Sequence, residues 1–253
     1  MSDVGVVTMK VSLKAQLIVH IGMFHSSANR VILTSPFTAA GAPMTRFTTQ
    51  ERDDLRIWAR IHVRGGFEPV EEIEEILVDL SEEFDSALTE RDRRHEIRIA
   101  VIQAIDTLME EQTSWPVLTD VDRLELAFDM LEDKGIISRQ NFTCCATCGA
   151  SEIATEIEDF EAYGRPARGY AFFHQQDTES VVDTGHLYLS FGAANGETDA
   201  EFVEIGQEVF EALNAVGLKV RWDGKLEHRI GITMKWQRRW ERAVPKPMKR
   251  WPF

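Results

Sequence analysis

All three cysteines of the 253-residue chain fall within five positions, in Asn141-Phe142-Thr143-Cys144-Cys145-Ala146-Thr147-Cys148-Gly149. Cys145 and Cys148 form a C-x-x-C pair, the spacing at which a tight turn lets two thiolates face one ion. A structural zinc site takes four ligands, so with Cys144, Cys145 and Cys148 a further ligand has to come from a histidine or a carboxylate. His174 and His186 are the candidates, because both follow the cysteines in the same half of the chain. The same residues admit a thiol reading. Cysteines just before or at the start of a helix meet the positive end of its dipole, which lowers a thiol pKa and favours a nucleophilic thiolate. Cys144 would then be the resolving thiol. A third reading makes all three small apolar core residues.

A second constellation is His174-Gln175-Gln176-Asp177-Thr178-Glu179, at the end of a predicted strand. Loops after strands commonly carry polar chemistry. His174 offers a ligand or a general base, with Asp177 or Glu179 to orient it. The plainer alternative is that Asp177 or Thr178 caps a short helix through Val182, with His174 in a local hydrogen bond.

These residues have to be positioned by elements that the spacing of apolar residues predicts. Thr48 to Glu51 reads as a capping box, followed by Leu55, Trp58 and Ile61 at helical spacing and a stop at Gly65-Gly66. Pro69 opens a second helix carrying Ile73, Ile76, Leu77 and Leu80, with glutamates on its outer face. A third helix runs from about Thr89 to Glu111, and a fourth starts at Thr119 or Asp120 and stops at Gly135. After Ile136-Ile137, a helix over about 149–161 is followed by strands at 169–174 and 187–191. A helix over 199–216 and strands at 218–222 and 229–232 complete the pattern. The fold class is α+β: an N-terminal helical subdomain, then a small mixed or antiparallel sheet with helices packed on one face. The divisions are an N-terminal extension at 1–46, a helical subdomain at 47–135, an α+β subdomain with the cysteine cluster at 136–234, and a basic, Trp-bearing tail at 235–253. Alternating apolar residues from Val11 to Ile21 predict a strand inside the extension.

The net charge of −14 disfavours nucleic acid as a partner of the body, since phosphate contacts need Lys and Arg. The tail reverses the sign: Lys235, Arg238, Arg239, Arg242, Lys246, Lys249 and Arg250 stand against Glu241. Trp236, Trp240 and Trp251 among them could stack on bases or sit at an anionic membrane. The favoured reading is that the tail packs on the acidic body or frays. No apolar run is long enough for a membrane span and no secretory signal is evident, which predicts a cytoplasmic protein.

The stretch 141–149 resembles a bacterial domain family of unknown function. So do Gly169-Tyr170-Ala171-Phe172-Phe173-His174-Gln175-Gln176-Asp177-Thr178-Glu179, Leu187-Tyr188-Leu189, and Val220-Arg221-Trp222-Asp223-Gly224. Trp115-Pro116 with 120–135 is similar to it too, so the resemblance covers roughly Thr48 to Arg239. Family members often have histidine where this chain has Ala150, which argues against a Cys3His site confined to the loop. The resemblance implies a fold and a site, and no activity. Three functions remain open. The first is a binding or regulatory protein with a zinc or thiol site at the cysteines and His174, serving an unspecified protein or small-molecule partner. The second is a thiol enzyme or redox protein using Cys145 or Cys148 with His174 as base. The third is an interaction module with buried cysteines.

Overall fold

The structure is a computed structural model and describes residues 46–247. The strand predicted over 11–21 lies outside the described residues. Helix α1 (Thr49–Gly65) begins at Thr48, whose hydroxyl accepts from Glu51 N while the Glu51 carboxylate accepts from Thr48 N, closing the expected capping box. It ends at Gly66, whose φ of 77° is the left-handed cap that glycine adopts without a Cβ clash. Helix α2 (Val70–Leu80) starts just after Pro69, and α3 (Glu90–Gln112) is capped by the Thr89 hydroxyl. Leu55, Ala59, Val63, Ile73, Leu77, Ile97, Val101 and Ile105 fuse these three helices into one core.

Helix α4 (Asp120–Asp133) uses its apolar stripe differently. Val121, Leu124, Ala127, Phe128 and Leu131 pack against the sheet and against α7 (Asp199–Ala215), through Val209, Ala212 and Leu213. The sheet is mixed, with spatial order β1 (Ile136–Arg139), β2 (Gly169–Phe172), β3 (His186–Ala193), β5 (Ile230–Thr233), β4 (Lys219–Arg221). β1 and β2 run parallel, and the other neighbouring pairs are antiparallel. Ile136, Ala171, Leu187, Leu189, Ile230 and Ile232 line the face covered by α4 and α7. Alternation puts Ile137 and Tyr170 on the other face. There they meet Phe160 of α5 (Ala146–Ala162), the crossover between the two parallel strands. Helix α6 (Gln175–Thr184) follows β2 and adds Val181 to the main core. The domain is therefore α+β, with helices packing on the sheet, as its sequence predicts.

The basic tail closes the helical unit onto the sheet unit. Trp236 packs on Phe67 and Phe173 and donates from Nε1 to the Arg64 carbonyl at 2.9 Å. Arg238 and Arg239 pair with Glu125 and Asp122 of α4 at 2.8 and 2.9 Å. Trp240 is only 5% exposed and completes the core of α1 to α3. Its Nε1 is buried without a hydrogen-bond partner among the described residues. Replacing it with alanine removes a large core side chain and should cost about 3–5 kcal/mol in chemical denaturation. Trp240→Phe, which deletes the unsatisfied N–H and keeps a ring, should cost well under half of that. Equal, negligible costs would mean that the tail is a loose appendage.

Candidate metal centre

The cysteine loop leaves the carboxyl end of β1, and α6 leaves the carboxyl end of β2. Because these strands are parallel, both connections emerge at the same edge of the sheet. They are joined there by main-chain hydrogen bonds. Phe142 N donates to Phe173 O at 2.8 Å and Gln175 N to Thr143 O at 3.1 Å. The loop makes its turn with two left-handed residues, Asn141 at φ 50° and Thr143 at φ 59°. Asparagine tolerates that conformation, whereas β-branched threonine does not, so the turn stores about 1–3 kcal/mol at Thr143. The Thr143 hydroxyl repays part of this by donating to Cys145 O at 3.2 Å.

This turn decides the geometry of the thiols. Adjacent cysteines in regular chain point apart, but here Cys144, Cys145 and Cys148 hold their sulfurs all within 4.8 Å of one another. Cys144 Sγ and Cys148 Sγ are 3.3 Å apart. Cys145 is the N-cap residue of α5, and all three side chains are partly exposed. Gly149 lets the first turn of α5 lie on Phe172, because a Cβ there would fall 2.6 Å from the ring. Two of the thiols differ in acidity. The Cys148 N–H at the start of α5 holds the Cys145 thiol below its usual range, helped by the neighbouring thiols. Cys148, beside Cys144 and Cys145, is pushed up to about 12.

Among the described residues no histidine or carboxylate joins this group. The structure gives His174 another task. It is the N-cap residue of α6: its Nδ1 accepts from Asp177 N at 3.3 Å, and Asp177 Oδ2 accepts from His174 N at 3.1 Å. The other ring nitrogen, Nε2, lies 3.1 Å from the same carboxylate. Asp177 is in turn gripped by both terminal nitrogens of Arg229, at 2.9 and 2.6 Å. Asp177 thus shares a capping box with His174, and the helix that Asp177 or Thr178 was expected to cap begins one residue after the histidine. Burial first, and Arg229 next, depress the His174 pKa against the pull of Asp177, so the ring is neutral at pH 7. His186 opens β3 on the surface, with Nδ1 3.5 Å from Thr233 Oγ1. His174→Asn should preserve the cap and full metal uptake at the thiols. His174→Ala should lose about 1 kcal/mol of stability by denaturant titration and leave metal uptake intact. Loss of metal from His174→Asn would instead make the imidazole a ligand.

Glu179 belongs to a second polar cluster. It lies on α6 near His62 of α1 and Glu68, with Asn141 of the cysteine loop between the units. His62 Nδ1 is 3.9 Å from Glu68 Oε2, with both side chains nearly buried. Thr178 Oγ1 donates to Asn141 Oδ1 at 2.7 Å. The two carboxylates are driven apart in acidity. Burial raises Glu179, and Glu68 adds to the rise while His62 opposes it. Burial also acts upward on Glu68, but His62, its own backbone N–H and the Asn141 amide outweigh it and hold Glu68 below the usual range. His62 and Glu68 are 80 or so positions from the thiols in sequence, and no local spacing flags them; Asn141 stands inside the cysteine motif itself. A carboxyl with a raised folded pKa binds its proton more tightly in the native state, so it loses stability as pH rises past the ordinary glutamate range. Glu179→Gln should therefore raise the melting temperature at pH 7, with the gain vanishing near pH 4. Glu68→Gln should lower it at pH 7. A Glu179→Gln melting curve that is unchanged across that range would refute the burial of its charge.

The chain belongs to a family described only as a domain of unknown function (DUF6891), whose model matches residues 48–240. No curated protein and no solved structure matches it.

Proposed function

We propose that the protein binds a thiophilic metal ion, zinc first, through Cys144, Cys145 and Cys148, and serves a binding or regulatory role in the cytoplasm. The observation that carries this reading is the convergence of three partly exposed sulfurs within 4.8 Å. Zinc–sulfur bonds of about 2.3 Å in a tetrahedron require sulfurs about 3.8 Å apart, close to the spacing already present. Thiolates select soft or borderline ions over magnesium or calcium. Binding would draw off the thiol protons, including the reluctant one on Cys148. Three protein ligands leave one coordination position for water, a small molecule or a side chain of a partner protein, the arrangement of metal sites that exchange ligands. No helix among the described residues is long and apolar enough to cross a membrane.

The separation of 3.3 Å between Cys144 Sγ and Cys148 Sγ favours a second reading, a dithiol that closes to a disulfide. Closure to the usual bond of about 2.05 Å transfers two electrons and two protons to an oxidant such as hydrogen peroxide, which leaves as two waters. Elemental mass spectrometry of the purified protein with a free-thiol count separates the two. The metal reading expects about one zinc per chain, masked thiols that a chelator releases, and loss of zinc in Cys148→Ser. Absence of metal after zinc addition, with fast loss of two thiols to peroxide, would replace it with the redox reading. Absence of both would overturn both.

A further inference from the structure

We infer that Asn141 is a positioning residue for the thiolate trio, tying the cysteine loop to α6 through Thr178. The inference rests on the metal reading above and names what holds that site in shape. Its starting point is the chain itself. The loop turns at Asn141 and Thr143, both with positive φ, and the first sulfur follows immediately. Such a turn persists only where its surroundings over-determine it. On one side the Asn141 carbonyl oxygen of the side chain accepts from Thr178 Oγ1 at 2.7 Å, so it is fixed to the first turns of α6. On the other side lies Glu68, in the connection after α1, whose pKa Asn141 helps to lower. That connection is itself held in place: Arg242 donates to the carbonyls of Phe67 and Glu68 at 2.9 and 2.6 Å. Gly65 lies against Thr178, where an added Cβ would be 3.3 Å from the methyl. Gln140, the preceding residue, accepts from Arg238 at 3.3 Å. The side chain of Asn141 thus fixes the residue that opens the turn to α6, at the point where Thr178 also lies against Gly65 of α1.

Partners that orient a metal loop without touching the ion commonly govern affinity by factors of 10–100. The decisive variant is Asn141→Gly, which adopts positive φ freely and removes only the bridge. Thr178→Val is its partner, because it keeps shape and deletes the hydroxyl. The probe is Co(II), followed by its sulfur charge-transfer absorption and by competition with a chromophoric chelator, with thermal melting as the check on folding. Asn141→Gly should weaken Co(II) by about tenfold or more and alter the charge-transfer band, with the wild-type melting cooperativity retained. Thr178→Val should weaken it in the same direction. The double variant Asn141→Gly with Thr178→Val should be no weaker than Asn141→Gly alone, since both changes cut one link. Co(II) affinity and spectrum within twofold of wild type in Asn141→Gly and Thr178→Val would overturn the inference while leaving the metal reading intact. Failure of the wild type to bind Co(II) would overturn the metal reading. In that case the alkylation rates of Cys145 and Cys148 in the metal-free protein report the trio's geometry. A severalfold change in their ratio in Asn141→Gly supports the bridge, and an unchanged ratio removes it.

Discussion

The parallel pairing of β1 and β2 is the constraint on which the polar architecture depends. Parallel strands need a long crossover, and here α5 supplies it. Their common direction brings two connections to one edge, where Phe142 N–Phe173 O and Gln175 N–Thr143 O continue the ladder past the strands. Had β2 run the other way, its own carboxyl end would lie at the far edge, and the cysteine loop would lack its partner. The antiparallel remainder of the sheet, β3 with β5 and β4, makes no such junction; it supplies Leu187, Leu189, Ile230 and Ile232 as the floor on which α4 and α7 sit.

The charge distribution serves the same junction. An acidic chain with a basic tail suggests an anion-seeking segment, yet three of the tail's arginines are engaged by the body. Arg238 and Arg239 reach Glu125 and Asp122, Arg242 binds the carbonyls of Phe67 and Glu68, and Trp236 and Trp240 fill the two cores. Exposed ion pairs contribute little each, so the tryptophans supply most of the attachment and the arginines its register. The result is a strap across α1 and α4 whose side chains touch Phe67 and Gln140, next to the residues that shape the turn.

Much of this was legible from the chain, and the missing part has a physical pattern. Helix starts were readable because caps are local: Thr48 with Glu51, Thr89 with Asp92 and Thr119 with Asp122 each signal within three residues. The apolar stripe of α4 was equally readable, but a stripe does not say what it covers. Val121 to Leu131 pack on the sheet and α7. His174 illustrates the reverse case. Histidine is not a favoured cap, so a carboxylate or threonine was expected there, whereas the imidazole and Asp177 together make the capping box. The thiols' convergence depends on a left-handed threonine, for which β-branched chemistry gives no signal. Glu68 and His62 approach Glu179 only through the packing of α1 on α6, a contact no local spacing encodes.

The thiol trio and the carboxylate cluster face the same problem, several acidic groups held closer than water would allow, and resolve it differently. In the cluster the problem is solved inside the protein. His62 and Asn141 stabilise the Glu68 charge, and Glu179 stays reluctant to ionise. Among the thiols, the N–H at the start of α5 favours a thiolate at Cys145, while the side chains of Cys144 and Cys145 favour the protonated form of Cys148. All three cysteines stay partly exposed at a helix start. Gathered there by the strained turn, their sulfurs form a group that could hold a metal ion, whose charge would offset the thiolates it requires.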